Sequence, residues 1–344
     1  EARTVQVVVG NEAADLDSMA SAVLYAYCKA SAAAPDSTVT VPLINIPRED
    51  FKLRTEAAFL FSHAGISTDW LLFQEDLDLE ALHRTKTLEL VLADHNKLAA
   101  NHGDFSDAVV EVIDHHADEG LYPHVSKRVI EPVGSAATLV ASQLLQQTAL
   151  LEAGSAELLL GTILLDTVNL DPEAQRASDL DRQVVQQLLE LTGADRKKLF
   201  DKLQKEKFNV SSLDSSDLLR KDYKEWKLGS CLVGFSSVLL SIKEWLDKDA
   251  DLSASLDEYA SSLELDVLIA MNAYTQPEFT RELVVFCKDR QLREKLLAFL
   301  EGSDLGLKAI DGAVDEATTL YAQANLGYSR KKLQPVLSEF FDSL

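Results

Sequence analysis

The chain has 344 residues, of which 47% are hydrophobic and 26% are charged. This is the composition of an ordinary globular protein, and the length predicts two domains. Its 33 basic and 56 acidic side chains give a net charge of −23, which argues against generic binding to nucleic acid or to anionic membranes. No apolar run in the sequence approaches the roughly 20 residues of a membrane span, so we expect no membrane insertion.

Apolar, strand-like runs alternate with helix-like segments in the first half of the chain. Four runs have the character of buried strands, namely Val5–Val9, Thr38–Leu43, Leu88–Ala93 and Val109–Ile113. Helical patterns lie between them at Met19–Ala30 and Glu56–His63. Such alternation is typical of a parallel sheet with helices packed on both faces.

A leucine- and alanine-rich segment, Leu139–Leu165, comes next and predicts two consecutive helices. The break between them is expected near the sequence EAGSAE. There Gly154 and Ser155 can end one helix and cap the next.

The second half of the chain has a different character. Residues from about 195 to 217 are polar, mixed in charge and rich in serine and aspartate at their end, which indicates a helix and a linker. We therefore expect a first domain at residues 1–190, a connection at 191–215 and a second domain at 216–344. Within the second domain, strands are predicted at Ser230–Val238, Asp266–Met271 and Leu283–Phe286, and helices at Gln291–Leu300 and Lys332–Phe341.

The three cysteines, Cys28, Cys231 and Cys287, lie far apart in apolar surroundings and fit no metal-ligand spacing. We interpret each as a small core residue. A reduced compartment is then the expected setting, and we predict a cytoplasmic protein.

Aspartates end the apolar runs of the first half. They are Asp15 and Asp17, Asp94, Asp114 and Asp166, and histidines directly follow two of them as Asp94-His95 and Asp114-His115-His116. Parallel strands align their carboxyl ends, so residues distant in sequence can meet at one edge of the sheet. Carboxylates with imidazole are ligands for Mg²⁺ or Mn²⁺. The pattern therefore predicts a metal site.

The first two aspartates also have a simpler interpretation. Asp17 or Ser18 can cap the first helix, and Asp15 can sit in the turn before it. A single aspartate at the end of a strand is most often a turn former. Four successive runs that end in aspartate, two of them followed by histidine, favour the metal site over capping.

Seven blocks of sequence resemble one protein family. They are GNEAADLDSMASA, VPLINIPRE, VIDHH, VGSAATL, LLDTVN, LLRKDYKEW and SRKKLQP. In this order they resemble the eukaryotic exopolyphosphatases and prune proteins of the DHH phosphoesterase superfamily, with family II inorganic pyrophosphatases as more distant relatives. The resemblance implies a two-domain α/β fold: an N-terminal domain with a five-stranded, mainly parallel sheet flanked by helices, and a smaller C-terminal α/β domain with a mixed sheet.

The resemblance also implies roles for individual residues. The matching metal ligands are Asp15, Asp17, Asp94, His115 and Asp166, with Asp94 and Asp166 as the bridging pair, and they are expected to converge at the domain interface. His116 matches a proton donor or electrostatic stabiliser beside the substrate. In the second domain Lys224, Arg330 and Lys331 match phosphate-binding positions, to which Arg220 and Lys221 can add, whereas we interpret Lys332 as part of a solvated helix face.

Three further residues belong to the matching blocks. Asn11 stands where the pyrophosphatases carry histidine, and as a weaker, oxygen-donating ligand near the substrate it would move metal preference toward Mg²⁺. His95 can either approach the substrate or pack at the rim. Asn96 receives no role.

The function implied is a metal-dependent exopolyphosphatase that hydrolyses the terminal phosphoanhydride of inorganic polyphosphate and releases orthophosphate. Two Mg²⁺ or Mn²⁺ ions would activate the attacking water as hydroxide, with catalytic roles for His116, Asp94 and Asp166. Alternatives are a prune-like short-chain polyphosphatase or cyclic-nucleotide phosphodiesterase, and an inorganic pyrophosphatase. A non-catalytic interaction protein is disfavoured by the intact ligand set, and a nuclease by the lack of a glycine-rich C-terminal motif. We expect a monomer.

Overall fold

The computed structural model describes residues 3–32, 38–275 and 277–344, without the side chains of residues 100, 101 and 103. The chain forms two compact units, Glu1–Phe208 and Asn209–Leu344. Within the described residues no helix combines the length and the apolar character needed to cross a membrane.

The first unit is built on a five-stranded sheet in which every pairing is parallel and the strand order is β2-β1-β3-β4-β5. The strands are β1 Thr4–Val9, β2 Thr38–Leu43, β3 Leu88–Ala93, β4 Val109–Asp114 and β5 Lys127–Ile130. The predicted five-stranded parallel architecture is confirmed. Val9 of β1 pairs with Leu92 of β3, and Ala93 pairs with Ile113 of β4. The carboxyl ends of these three strands therefore lie side by side, as the aspartate pattern requires.

Helices cover both faces of this sheet. They are α1 Leu16–Ala32, α2 Thr55–His63, α3 Leu79–Arg84, α4 Ala136–Leu145, α5 Ala153–Asp166, α6 Asp179–Thr192 and α7 Arg196–Lys207, with short 3-10 turns at Arg48–Leu53, Thr68–Trp70, Gln74–Asp76, Ala100–Ala108 and Thr148–Leu150. Val8 packs into the core with α1, α2 and α4 to α7, whereas Val7 and Val9 pack into the core on the α3 side. Successive residues of a strand point to opposite faces, so β1 is buried on both sides.

Three local predictions for this unit are wrong. Helix α1 begins at Leu16 and not at Met19, because Asp15 is its cap: the backbone N–H of Ser18 donates to Asp15 Oδ1 at 3.0 Å. The alternative interpretation placed the cap at Asp17 or Ser18, but both lie inside the first turn. Asp166, which the pattern grouped with residues at strand ends, is the last residue of helix α5.

The break between the two leucine-rich helices also differs from its prediction. Gly154 and Ser155 lie inside α5, and the chain leaves its helical path earlier, between Leu145 and Ala153. A Cβ atom on Gly154 would lie 2.2 Å from the carbonyl oxygen of Ala64. The glycine therefore permits a close approach of α5 to the end of α2 and does not stop a helix.

The second unit contains a six-stranded mixed sheet of order β10-β11-β9-β8-β7-β6. Its strands are β6 Tyr223–Leu228, β7 Cys231–Val238, β8 Val267–Thr275, β9 Phe279–Phe286, β10 Leu307–Ala309 and β11 Thr318–Gln323. Its helices are α8 Ser215–Lys221, α9 Ile242–Lys248, α10 Leu252–Ser262, α11 Arg290–Glu301 and α12 Arg330–Asp342. Only the pairing of β7 with β8 is parallel, so the predicted mixed α/β domain is confirmed.

Candidate metal centre

A cavity of about 370 Å³ opens at the carboxyl ends of the strands in the first unit. Its lining residues are Asp15, Asp17, Asp94, His115, His116, Val133, Gly134, Asp166 and Arg176. The fold thus brings together all five residues that the resemblance marks as metal ligands, and it places His116 beside them. Their sources are the turn into α1, the ends of β3 and β4, and the end of α5.

Asp94 is placed by the backbone that follows β3. Its φ angle is +62°, in the left-handed region that few non-glycine residues adopt, although aspartate does so more readily than most. The N–H of Asp94 donates to the carbonyl oxygen of Ile113 at 2.9 Å. This bond continues the register of β3 on β4, and it turns the Asp94 side chain toward His115.

Asp114 orients both histidines and is itself fully buried. Its Oδ1 accepts the backbone N–H groups of His115 at 2.8 Å and His116 at 3.2 Å. The same oxygen lies 2.8 Å from Nδ1 of the His116 ring. The carboxylate of Asp114 therefore fixes the loop after β4, and its contact with Nδ1 leaves His116 Nε2 free.

Asn96 forms hydrogen bonds that stabilise the loop after β4. Its side-chain amide donates to Asp114 Oδ2 at 2.5 Å and to the carbonyl oxygen of Ala117 at 3.0 Å, while its oxygen accepts the N–H of Glu119 at 2.9 Å. No role was predicted for Asn96 from the sequence. The structure shows that it holds the segment that follows the two histidines.

His115 presents one ring nitrogen to the carboxylates. Its Nδ1 lies 2.9 Å from the carbonyl oxygen of Val133, an acceptor that requires a proton on Nδ1. Its Nε2 lies 3.3 Å from Asp94 Oδ1 and 3.7 Å from Asp17 Oδ2. Such a second hydrogen bond is how proteins orient a metal-binding imidazole, so Nε2 is suitably placed as a ligand atom.

The carboxylates form a cluster that needs positive charge. Asp94 Oδ1 and Asp166 Oδ2 are buried and have no hydrogen-bond partner among the described residues. Burial, together with the neighbouring Asp17 carboxylate, raises the pKa of Asp94 to about 8. Burial and the charges of Asp17 and Asp15 likewise raise the pKa of Asp166. These groups resist ionisation unless a cation joins them.

The pKa of His115 moves in the complementary direction. Burial lowers it, but the contact of Nε2 with Asp94 Oδ1 at 3.3 Å and the charge of Asp17 outweigh burial and raise the pKa to about 10. The protein alone therefore holds protons at this cluster, and a divalent cation would replace them. Several carboxylate oxygens with one imidazole nitrogen fit Mg²⁺ or Mn²⁺ in donor chemistry. Asp94, His115 and His116 also have potential ligand atoms within 4.8 Å of one another.

Asp17 has a second function in the fold. Its carboxylate accepts the N–H groups of Ala136 at 2.7 Å and Ala137 at 2.8 Å, at the start of helix α4, and the hydroxyl of Ser21 at 3.1 Å. Asp15 is exposed and caps α1. Helix capping and metal binding are therefore compatible here, since each carboxylate oxygen has two lone pairs.

The side chain of Asn11 forms hydrogen bonds to the turn before α1 and to Asp94. Its Oδ1 accepts the N–H groups of Ala13 and Ala14, both at 3.0 Å, so the oxygen expected to act as a weak metal donor is committed to the turn. Its Nδ2 donates to Asp94 Oδ2 at 2.9 Å. Asn11 thus positions Asp94 through its nitrogen in this arrangement, and its role toward a metal stays a prediction.

A second cavity, of about 280 Å³, adjoins the first, and Asp94 and His116 line both cavities. His95 and Lys97 also line it. The His95 Nδ1 lies 3.0 Å from the carbonyl oxygen of Ala93, and burial lowers the pKa of this histidine. His95 is therefore largely packed and contributes a neutral edge to this cavity.

The predicted phosphate-binding residues of the second unit lie on α8, β6 and α12. Arg330, the first residue of α12, donates from both guanidinium nitrogens to Asp222, to its carbonyl oxygen and its Oδ1, each at 2.7 Å. Lys331 and Lys224 are exposed. Arg220 lies 3.6 Å from Asp217 Oδ1. The pairing with Asp222 brings Arg330 to the beginning of β6, which carries Lys224.

Two residues that line the cavity in the first unit were not candidates from the sequence. Gly134 and Arg176 line the cavity with the aspartates, but neither stands next to an acidic or histidine motif. Gly134 lies within the VGSAATL block, whereas Arg176 is a lone cation in the loop between α5 and α6.

Comparison with known proteins defines the class. The model of the DHH family N-terminal domain matches residues 6–167, and that of the DHHA2 domain matches residues 201–340. The chain belongs to the DHH family and carries its DHHA2 domain. The resemblance found in the sequence motifs is thereby confirmed.

The sequences of individual relatives show which members of the family the chain resembles. It is 37% identical to mouse exopolyphosphatase PRUNE1 over 348 residues, covering 98% of this chain and 76% of the relative. It is 35% identical to human exopolyphosphatase PRUNE1, covering 100% and 78%. A manganese-dependent inorganic pyrophosphatase of Methanocaldococcus jannaschii is 24% identical, covering 89% and 94%.

A solved structure agrees with the fold. The crystal structure of a Methanococcus jannaschii protein assigned to the family II inorganic pyrophosphatases has a TM-score of 0.50 and 21% identity. The alignment covers 98% of this chain and 99% of that protein. At this identity the likeness shows the fold alone.

Proposed function

We propose that the chain is a metal-dependent exopolyphosphatase that hydrolyses the terminal phosphoanhydride of inorganic polyphosphate and releases orthophosphate. One observation carries the proposal: four aspartates and His115 surround a single cavity, and two of their buried carboxylate oxygens have no hydrogen-bond partner among the described residues. The 37% identity to mouse exopolyphosphatase PRUNE1 supports the choice of substrate.

Asp15, Asp17, Asp94, His115 and Asp166 would hold two divalent cations, and their oxygen-rich donor set favours Mg²⁺ or Mn²⁺. Bound cations of this kind lower the pKa of a water nucleophile and offset the charge of phosphate oxygens. The protein supplies the orientation of the ligands. Asn11 and the backbone at Ile113 set Asp94, and the carbonyl oxygen of Val133 sets the His115 ring.

His116 is our candidate for the proton donor to the departing phosphate. Its hydrogen bond to Asp114 raises its pKa, against the opposing effect of burial. The Asp114 contact holds the proton on Nδ1, and a protonated ring then also carries one on Nε2, the nitrogen left free. A donor so oriented can transfer this proton to a leaving phosphate oxygen, which would otherwise depart as a poorer leaving group.

Cations of the second unit complete the proposal. Lys224, Arg330, Lys331 and Arg220 are proposed to bind the phosphate oxygens of the substrate. In a chain of net charge −23, such local clusters are needed to receive a polyanion. The free cysteines Cys28, Cys231 and Cys287 support action in a reducing compartment, the cytoplasm, and we propose that the chain acts there as a monomer.

A pyrophosphatase is the second candidate. The manganese-dependent inorganic pyrophosphatase of Methanocaldococcus jannaschii aligns with 89% of this chain. Because the identity to mouse exopolyphosphatase PRUNE1 is higher, at 37% against 24%, we rank this function below exopolyphosphatase activity.

A phosphate-release assay separates the candidates. The substrates are long-chain polyphosphate, tripolyphosphate, pyrophosphate and cyclic AMP, each with Mg²⁺ and with Mn²⁺. Asp94→Asn should abolish release, whereas Asp104→Asn, an exposed aspartate outside both cavities, should match the wild type. Turnover of pyrophosphate alone would replace the proposal with the second candidate, and no turnover of any phosphoanhydride would end it.

A further inference from the structure

Arg176 lines the cavity of the aspartate cluster but is not one of the candidate metal ligands. It is exposed, in the loop between α5 and α6, and it lines the cavity together with the four aspartates. Among the residues that the structure describes, its guanidinium has no carboxylate within ion-pairing distance. An arginine that stays unpaired beside four carboxylates is available for another anion.

The loop that carries Arg176 is held close to the cavity wall. A Cβ atom on Gly134 would lie 2.6 Å from the carbonyl oxygen of Arg176 and 2.5 Å from Cγ2 of Thr167. Only a glycine allows the two chain segments to approach so closely. The wall at Gly134 and the loop at Arg176 are therefore packed backbone to backbone.

A buried carboxylate joins the same two segments. Asp181 is fully buried, and its Oδ2 accepts the N–H of Gly134 at 2.8 Å and the N–H of Ser178 at 2.6 Å. Its Oδ1 accepts the Thr138 hydroxyl at 2.6 Å. Arg176, two residues before Ser178, is consequently tethered at its C-terminal side.

The N-terminal side of the loop is strained. Val168, Asn169 and Leu170 have φ angles of +51°, +58° and +59° in succession. Left-handed backbone at non-glycine residues persists only where the surroundings impose it, and it concentrates at functional sites. Here the strain starts two residues after Asp166, so the route of the chain from a metal ligand to Arg176 is fixed.

Charge decides what Arg176 can bind. Four aspartates contribute −4, and the two divalent cations proposed for them contribute +4, so the pair of ions balances the carboxylates. The guanidinium then remains as net positive charge at the cavity. Its planar fork of N–H donors matches two oxygens of a phosphate group.

We propose that Arg176 is a substrate-binding residue that holds the phosphate oxygens of the phosphoanhydride at the metal centre from within the first unit. The inference rests on the proposed function for the chemical class of the substrate. Because Arg176 lines the cavity of the metal cluster itself, it acts on the terminal phosphates. Its effect should therefore be the same for a short and a long chain.

The test uses Arg176→Gln, Arg176→Lys and a matched control, Arg84→Gln, which removes an exposed arginine of α3 that lines neither cavity. The KM for pyrophosphate, tripolyphosphate and long-chain polyphosphate is measured at saturating Mg²⁺. Imidodiphosphate, a non-hydrolysable analogue, is titrated calorimetrically into the same proteins with Mg²⁺ present. Thermal unfolding reports whether each variant keeps its fold.

We expect Arg176→Gln to raise KM and to weaken imidodiphosphate binding by about 10- to 100-fold, the loss that follows from removing a charge-assisted hydrogen bond. The factor should be equal for the substrates that the wild type hydrolyses. Arg176→Lys should recover only part of the loss, because lysine keeps the positive charge but cannot bind two oxygens with a planar fork. Arg84→Gln should show no loss.

Two results overturn the inference while leaving the proposed function intact: an active wild type with an equally active Arg176→Gln, or an Arg176→Gln variant in which only the Mg²⁺ requirement changes. The second result would make Arg176 a counter-ion of the aspartates. A wild-type protein that neither hydrolyses a phosphoanhydride nor binds imidodiphosphate would overturn both the inference and the proposed function.

Discussion

Nδ1 of His116 lies 2.8 Å from Oδ1 of Asp114, and the same oxygen accepts the backbone N–H groups of both histidines. One buried carboxylate therefore determines where the ring of the candidate proton donor points. His116→Ala should lower kcat by about 10²- to 10⁴-fold, the usual contribution of a positioned acid. Mn²⁺ affinity, measured by calorimetry, should stay within a few-fold of the wild type. Near wild-type turnover would show that His116 transfers no proton.

Divalent cations should stabilise the protein through the aspartate cluster. Saturation at about 100 times Kd contributes about 2.7 kcal/mol, which corresponds to a rise in Tm of roughly 5–10 °C for a domain of this size. Asp94→Asn should remove this rise, whether Mn²⁺ or Mg²⁺ is added, and EDTA should reverse it in the wild type. Calorimetric scans of both proteins measure the effect. An equal rise in Asp94→Asn would place the bound ion elsewhere.

Asn11→His should change the metal preference. Imidazole supplies a nitrogen donor next to Asp94, and by the affinity order of divalent ions Mn²⁺ or Co²⁺ should gain more than Mg²⁺. At most a modest gain in pyrophosphate turnover is expected. Loss of the two turn hydrogen bonds at Ala13 and Ala14 should cost about 1–2 kcal/mol of stability. Asn11→Ala separates these effects, since it loses the turn but adds no donor. Identical metal titrations for Asn11→His and the wild type would exclude position 11 from the metal environment.

Arg330→Gln and Lys332→Gln form a matched pair on helix α12. Arg330 is held by Asp222 with both nitrogens, whereas Lys332 is exposed. We expect Arg330→Gln to raise KM for tripolyphosphate by about 10- to 100-fold through the loss of charged hydrogen bonds. Lys332→Gln should leave KM unchanged. If the two variants behaved alike, the phosphate-binding assignment of Arg330 would fail.

Glu111 should make the first unit sensitive to acid. It is 4% exposed on β4 and contacts the Tyr25 hydroxyl, Lys29 and Lys127. Burial raises the pKa of Glu111, but the hydrogen bonds from Lys127, Lys29 and Tyr25 outweigh burial and hold it below its ordinary value. A carboxylate whose pKa is lower in the folded state stabilises the fold above its ordinary pKa, and this contribution is lost as the pH falls through the folded value.

Glu111→Gln should therefore destabilise the protein at pH 7, by about 3 kcal/mol. The difference from the wild type should shrink as the pH is lowered below about 4.5. Urea unfolding of the two proteins between pH 7 and pH 3.5 measures this. A stability difference independent of pH would assign the effect to packing and not to the charge.

Regular elements could be predicted well where the local sequence decides them. Leu88–Ala93 is confirmed residue for residue as β3, because a short run dominated by leucine and valine favours a buried strand of a parallel sheet. Strand β5 was not located, since its four residues begin with Lys127 and Arg128 and are only partly buried. Asp166 directly follows the segment Leu139–Leu165, for which helices were predicted, so its place at the end of α5 agrees with that prediction and not with its grouping among strand ends.

Some residues of the cavity could likewise be predicted from the sequence, and others could not. Asp94 stands directly after one predicted strand and His115 two residues after the end of another, so topology places them at one edge. Arg176 could not be found from the sequence, because its position depends on the close packing of its loop on Gly134 and on the bonds of Asp181. Asn96 likewise acts through Asp114, a contact that no local pattern predicts.

The bonds from the start of α4 to Asp17 have a consequence for the kinetics of metal exchange. The N–H groups of Ala136 and Ala137 fix this carboxylate when the helix forms, so the ligand is preorganised and its rotational freedom is lost on folding. Uptake of a cation then requires little reordering of the protein at this point. The slow step of metal binding is then the loss of water from the ion. Mg²⁺ gives up its water reluctantly, so it should enter more slowly than Mn²⁺.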